Sequence, residues 1–217
     1  MVVDKPKKEQ ILDAAEQLFA EKGFHGVSVR DITEAAGVRL ASVNYYFETK
    51  DNLYYQLLVR RGSHIFSERV RRLNHIDFDS LDDREAVAQI CHAIVDPLVE
   101  KVRTNDPGWK AFSRVVANLM ASPLAMTKKV PSKDEFDLLS LDMVKALQRY
   151  AVNNDEQKAH HAFQFISSAS FTLFSNNKRL NELSQGKYRT DDYDRIYENA
   201  MAFLVGAATN LLLGSHQ

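Results

Sequence analysis

The 217-residue sequence predicts an all-α fold, and three observations carry that prediction. Proline and glycine are scarce, 5 and 8 residues, and they stand between long periodic stretches. Apolar residues recur at three- and four-residue spacing, the period of a helix with one buried face. No alternating apolar–polar run of strand length breaks the pattern.

The first helix is expected over Lys7–Lys22, with Ile11, Leu12, Ala15, Leu18 and Phe19 forming one apolar stripe. Gly23 follows, where a helix end favours a left-handed residue. A second helix opens at Ser28, which can cap free N–H groups; Asp31, three residues on, completes a variant of the capping box. Val29, Ile32 and Ala36 face inward, and Gly37 ends the helix. The third covers Leu40–Phe47, with Val43 and Phe47 as its core positions. Two short helices joined by a short glycine-containing turn are the helix-turn-helix signature.

A fourth helix is expected from Asp51 to Arg72. Five further ones follow, at Asp82–Thr104, Pro107–Ala121, Lys133–Ala151, Asp155–Leu183 and Asp191–Leu213. Pro97 can kink or split the first of these, and Pro107 suits a first helical position. Ser122–Ser132, with Pro123 and Pro131, and Ser184–Asp194 are expected loops. The whole divides into a three-helix helix-turn-helix domain, residues 1–50, and a larger helical domain, residues 51–217.

Composition excludes several classes. Lys and Arg number 28 against 29 Asp and Glu, and 45% of residues are hydrophobic, close to the globular average. A wholly disordered chain and a disulfide scaffold are ruled out. The single cysteine, Cys91, allows no intrachain disulfide and suits a reducing compartment. No secretory h-region follows the first lysines, so a cytoplasmic location is expected. The uncharged stretches Ala162–Asn177 and Asn199–Gln217 read as buried helices rather than membrane spans.

Function concentrates in the third helix, LASVNYYF. With Val43 and Phe47 inward, Leu40, Ala41, Ser42, Asn44, Tyr45 and Tyr46 lie mostly away from the core. A plain solvent face favours Lys and Glu. Small residues with Asn and Tyr suit a helix lying in a DNA major groove instead. Small residues allow close approach to bases, Asn reads an adenine edge, and the tyrosine hydroxyls and Lys50 reach phosphates. The run 59–72 holds five arginines and one glutamate. Arg60, Arg61, Arg69, Arg71 and Arg72 are expected to form a solvated helix end paired with acids. Lys5, Lys7 and Lys8 are candidates for a disordered arm that follows the DNA backbone.

The stretch ILDAAEQLFAEKGFHGVSVRDITEAAGVRLASVNYYFETKDNLYYQLL resembles the N-terminal domain of the TetR family of bacterial transcriptional regulators. The pieces that carry the resemblance are Ala15–Phe19, Gly23-Phe24, Ser28 with Ile32, Ala35-Ala36-Gly37-Val38, Tyr45-Tyr46-Phe47 and Lys50 with Leu53. It implies that Ser28 opens a phosphate-binding helix N-terminus. It implies that Arg30 reaches a base from the second helix and that Leu40, Ala41 and Asn44 face bases. Ser42, Tyr45, Tyr46 and Lys50 then face phosphates. Arg39 stands where the family commonly has a small polar residue, and adds a phosphate or base contact.

The resemblance further implies a homodimer paired through the last two helices on a palindromic double-stranded operator, an inducer pocket in the larger domain, and no enzymatic activity. The likeness of LASVNYYF to a subgroup responding to acyl or other lipophilic metabolites points to a lipophilic small-molecule effector. Pocket candidates are His92, Trp109, Phe112, Val116, Met120, Met143, Phe163 and Phe171.

The most direct expectation is a repressor released from its operator by that effector. The alternative is an all-α ligand-binding protein or enzyme whose helix-turn-helix is only structural. The sequence has no glycine-rich phosphate loop and no G-x-S-x-G or H-E-x-x-H motif. His160 and His161 are adjacent, about 100° apart on a helix, so no metal site is expected, nor any cofactor.

Overall fold

A computed structural model gives the architecture, and it describes residues 6–104, 106–121, 133–175 and 178–214. Ten α-helices lie among them: α1 (Lys7–Lys22), α2 (Val29–Ala35), α3 (Leu40–Phe47), α4 (Lys50–Leu73), α5 (Asp83–Val102), α6 (Pro107–Ala121), α7 (Lys133–Gln148), α8 (Glu156–Leu173), α9 (Arg179–Leu183) and α10 (Tyr193–Leu213). The described residues contain no strand.

Local chemistry starts and stops these helices. Gly23 (φ 69°) and Gly37 (φ 63°) take the left-handed conformations that turn the chain after α1 and before α3. Capping boxes begin α2, through Ser28 and Asp31, and α5, through Asp82 and Glu85. Thr49, Asp155 and Asp192 cap α4, α8 and α10. Pro97 stays inside α5 and does not split it.

Two expected boundaries shift. The helix expected over Asp155–Leu183 is two, α8 and α9. At its break Phe174 turns into the core, and the Ser175 hydroxyl donates to the Thr172 carbonyl at 2.7 Å, so the side chain competes with helical continuation. The helix expected to reach Ala151 stops at Gln148, and a 3-10 turn follows with Asn153 at φ 59°. The proposed loop Ser122–Ser132 lies outside the described residues.

The apolar side chains form two clusters. The N-terminal one gathers Ile11, Leu12, Ala15 and Phe19 of α1, Ile32, Val43, Phe47, and Leu53, Tyr54 and Leu57 of α4. Ala111 and Val115 of α6 complete it. The larger one joins α4 to α8 and α10 through residues such as Ile65, Ile90, Leu98, Phe112, Met143, Ile166, Phe171, Leu204 and Leu212. Packing therefore carries the first half of α4 with the helix-turn-helix and the second half with the larger domain. Cys91 is a core residue, and burial pushes its thiol up to about 12.

Candidate nucleic-acid interface

The α2–α3 pair is held rigidly from beneath. Val43 and Phe47 are fully buried and fasten α3 to the N-terminal core. The Ser28 hydroxyl accepts from the Asp31 N–H at 3.1 Å, and the Asp31 carboxylate accepts from the Ser28 N–H at 2.7 Å. The bonds that the carboxylate accepts from the Ser28 N–H and, at 2.7 Å, from the Ser28 hydroxyl hold the Asp31 carboxyl below its ordinary value. At the other end, the Asn52 amide donates to the Phe47 carbonyl at 2.9 Å.

Lys50 is tied into the same frame. Its ammonium donates to the carbonyls of Phe24 at 3.0 Å and Val27 at 2.9 Å, and lies 4.2 Å from the Phe24 ring centroid. It thus locks the turn before α2 onto the start of α4, a role the sequence does not announce. A third ammonium donor remains for a phosphate.

The outer face of the pair carries the expected reading residues. Arg30, Arg39, Leu40, Ala41, Asn44 and Tyr45 are exposed; Ser42, Tyr46 and Lys50 are half-buried. Tyr45 is 81% exposed, and its ring meets that of Tyr46 edge-on at 5.0 Å. Neither Arg30 nor Arg39 joins an ion pair among the described residues.

The arginine-rich run of α4 is different, because it is neutralised from within. Arg60 pairs with Glu9 (3.0 Å), Asp13 (2.8 Å) and Glu16 (3.1 Å), and Arg61 with Glu16 (2.8 Å) and Asp106 (2.9 Å). Glu16 is only 1% exposed, so the network has a buried carboxylate at its centre and solvent-facing acids around it, and it ties α1, α4 and the start of α6 together. Arg71 and Arg72 pair with Glu68, and Arg72 also with Glu100 at 2.7 Å, as a solvated helix end should. Arg69 corrects that expectation: it is 1% exposed inside the larger domain. Its position was legible, since Ile65, Arg69 and Leu73 recur every four residues on the inner face of α4. Glu16 likewise falls on the apolar stripe of α1. Lys7 and Lys8 also depart from expectation, being first-turn residues of α1 rather than an arm, and Lys5 lies outside the described residues.

The pocket candidates do not share one surface. Phe112, Val116, Met143 and Phe171 are core residues, with Phe163 packed against them. Met120 is exposed near the end of α6. Trp109 sits at the α4–α5–α6 junction between the Arg61 guanidinium (4.6 Å) and the Lys101 ammonium (5.6 Å), facing an open polar cleft. His92 lines another open cleft, with its Nδ1 3.1 Å from the Tyr197 hydroxyl and 3.3 Å from Asp96. No group of three metal-ligating side chains occurs among the described residues.

α8 and α10 leave apolar side chains outside. Phe165 of α8 is 61% exposed and Phe203 of α10 is 74% exposed, and Ala202, Gly206 and Ala207 beside Phe203 are exposed too. By length and composition α10 could cross a membrane, but its inner face packs on α5 and α8.

Known proteins share these features. Residues 11–57 match the family described as bacterial regulatory proteins, tetR family. Residues 92–207 match the tetracyclin repressor-like C-terminal domain. The HTH-type transcriptional repressor KstR2 of Rhodococcus jostii is 29% identical over 90 residues, 42% of this chain and 44% of its own length. The regulator RutR of Escherichia coli is 44% identical over 52 residues, 24% of each chain. The chain thus spans less than half the length of these curated relatives. Among solved structures, a TetR-like regulator from Rhodococcus sp. RHA1 superposes with a TM-score of 0.61 at 18% identity, covering 99% of this chain and 100% of its own. FadR from Bacillus subtilis in complex with stearoyl-CoA gives 0.58 at 17% identity, covering 96% and 99%. At such identities these two establish a shared fold alone. The C-terminal match by itself takes in just over half of the residues, and the chain belongs to the TetR family of bacterial regulatory proteins.

Proposed function

We propose that the protein is a homodimeric, sequence-specific DNA-binding regulator, a repressor released from a palindromic operator by a small lipophilic effector. One observation carries the reading: the outer face of α3 exposes Asn44 and Tyr45 beside Arg30 and Arg39, which join no ion pair among the described residues, while Arg60, Arg61, Arg71 and Arg72 of α4 are spent on acids of the chain itself. Amide, phenol and guanidinium groups on a helix anchored from behind are the equipment for base edges and phosphates.

The dimer is proposed through α8 and α10. Phe165 and Phe203 are large exposed apolar groups on neighbouring helices, and the small residues around Phe203 let a second copy approach closely. A two-fold axis there would set two α3 helices on one face, about one DNA turn apart. Release is proposed as a population shift. DNA favours the dimer with its reading helices at groove spacing, the effector favours another, and each opposes the other by the same coupling energy, typically about 1–3 kcal/mol. The Glu16 network and α6 would carry that coupling between the two cores. The repressor KstR2 and the acyl-CoA-bound FadR support a repressor with a lipophilic effector.

Selection of bound duplexes from a random DNA pool tests the proposal. Enrichment of an inverted repeat, with affinity falling steeply as salt rises, is expected. A folded dimer that enriches no repeat, before and after refolding from denaturant to strip bound ligand, would sink it in favour of a structural helix-turn-helix.

A further inference from the structure

Arg69 has no counter-ion among the described residues, at 1% exposure in the core of the larger domain. Its Nε donates to the Ile94 carbonyl at 2.8 Å, and its guanidinium lies 5.2 Å from the Phe66 ring and 5.7 Å from the Phe171 ring. Its Nη2 is buried with no hydrogen-bond partner among the described residues. The nearby acids in sequence, Glu68, Asp96 and Glu100, are engaged with Arg71 and Arg72 instead. Burial lowers its pKa only to about 10, so it stays charged near neutrality.

A structural role explains part of this. Pro97 lacks an N–H and disturbs the carbonyls one turn earlier in α5, and Arg69 covers one of them. One neutral donor would serve that purpose. It would not require a full positive charge with a second donor left unpaired in an apolar core, an arrangement that costs stability.

A second orphan lies on α8. Ser167 is buried and its hydroxyl has no partner among the described residues, although neighbouring Ser170 bonds back to the Ile166 carbonyl at 2.7 Å. Ser167 is one helical turn before Phe171, on the face whose ring meets Arg69. Side chains on a helix lean toward its N-terminus, so Phe171 overlies the turn that holds Ser167. One unused donor thus lies against the Phe171 ring and the other on the same buried face of α8, one turn before it. That ring continues into apolar core, meeting Phe112 edge-on at 6.3 Å.

We infer that Arg69 and Ser167 form the head-group site of an anionic effector: a carboxylate accepts from Arg69 Nη2 and the Ser167 hydroxyl, and its apolar tail displaces the aromatic packing around Phe171. This rests on the effector reading above and narrows the effector class to carboxylate-bearing amphiphiles. The site also has a route outward, since the Phe171 carbonyl accepts from Ser113 of α6 at 3.0 Å, and α6 begins at the Glu16–Arg61 network.

The test uses the full chain with hexanoate, decanoate and benzoate, each beside its uncharged primary alcohol, read by thermal melting and by operator retention. At least one carboxylate should raise Tm by several degrees while its alcohol does not. Arg69→Met removes both an unpaired buried charge and the donor to the Ile94 carbonyl, and it should abolish that increment. A merely structural arginine would leave the carboxylate increment intact in the folded variant. Ser167→Ala should weaken the same carboxylate about tenfold at unchanged ligand-free Tm. Should Arg69→Met fail to fold, Arg69→Lys and Ser167→Ala carry the comparison, with loss of carboxylate stabilisation expected in both. Equal responses to carboxylates and alcohols, no response to any carboxylate, or full carboxylate stabilisation in the variants overturns the site. Carboxylate binding without operator release overturns only the effector reading; operator release by the alcohols alone overturns only the site.

Discussion

A Cβ on Gly108 would collide with the guanidinium of Arg61 and stand 2.7 Å from a Glu16 carboxylate oxygen. Gly108 is buried in the first turn of α6, and its N–H donates to Asp106 at 2.8 Å. Its missing side chain is the space in which Arg61 and Glu16 meet.

Gly108→Ala should therefore push Arg61 off Glu16 and lower stability by about 1–3 kcal/mol, the usual range for overpacking. Glu16→Gln, which leaves two arginines facing a neutral amide, should also lower it. Chemical denaturation of both variants measures the effect. A normal midpoint for Gly108→Ala would show that Arg61 can leave at no cost.

Asn44→Ala should cost about 1–3 kcal/mol on the selected operator and relax preference at one base position, while Arg39→Ala should weaken all duplexes more evenly. Binding titrations against single-base operator variants separate the two behaviours. Identical losses on every variant for Asn44→Ala would remove it from base reading.

Phe203→Asp places a charge on the exposed apolar face of α10. The variant should stay folded, run as a monomer in sedimentation, and lose operator affinity. Phe171→Glu should instead unfold the larger domain, because Phe171 is a core residue. A Phe203→Asp dimer of wild-type affinity would move the interface elsewhere.

The hydrogen bond to Asp96, against the opposing effect of burial, raises the His92 pKa. The folded protein then keeps a proton that the unfolded chain has lost. The resulting stabilisation is complete below the ordinary imidazole value of about 6.5 and disappears as pH rises through the folded one. Tm should fall across that window in wild type and less so in His92→Gln. Parallel Tm–pH curves for the two proteins would contradict the coupling.

The helix-turn-helix was legible because its information is local. Val43 and Phe47 are four apart, Ser28 and Asp31 three apart, and each pair acts within one or two turns. The pairing of Glu16 with Arg61 is not local, since the residues are 45 positions apart. Periodicity placed Glu16 on the inner face of α1 without naming its partner. Arg69 was legible by period but not by composition: five arginines in 14 residues suggest a solvated end, whereas the four-residue spacing with Ile65 and Leu73 puts this one inside. The aromatic pocket candidates failed to converge because residue type marks burial, and the core uses Phe112 and Phe171 against each other. The break after Leu173 had only the polar Ser175-Asn176-Asn177 run to announce it, with no glycine or proline.

Ala111 and Val115 close the underside of the N-terminal core from α6, which begins at Pro107, far along the chain from the end of α3 at Phe47. A transplant of the reading head onto a foreign regulator, cut after Leu57 at the end of the family match, would leave that floor open and strand Arg60 and Arg61 on the wrong side of the seam. Changes in operator taste can accumulate on the outer face of α3 alone. Exchange of whole heads between relatives has to bring the matching surface of α6 with it, so specificity here can drift by point substitution far more readily than by recombination.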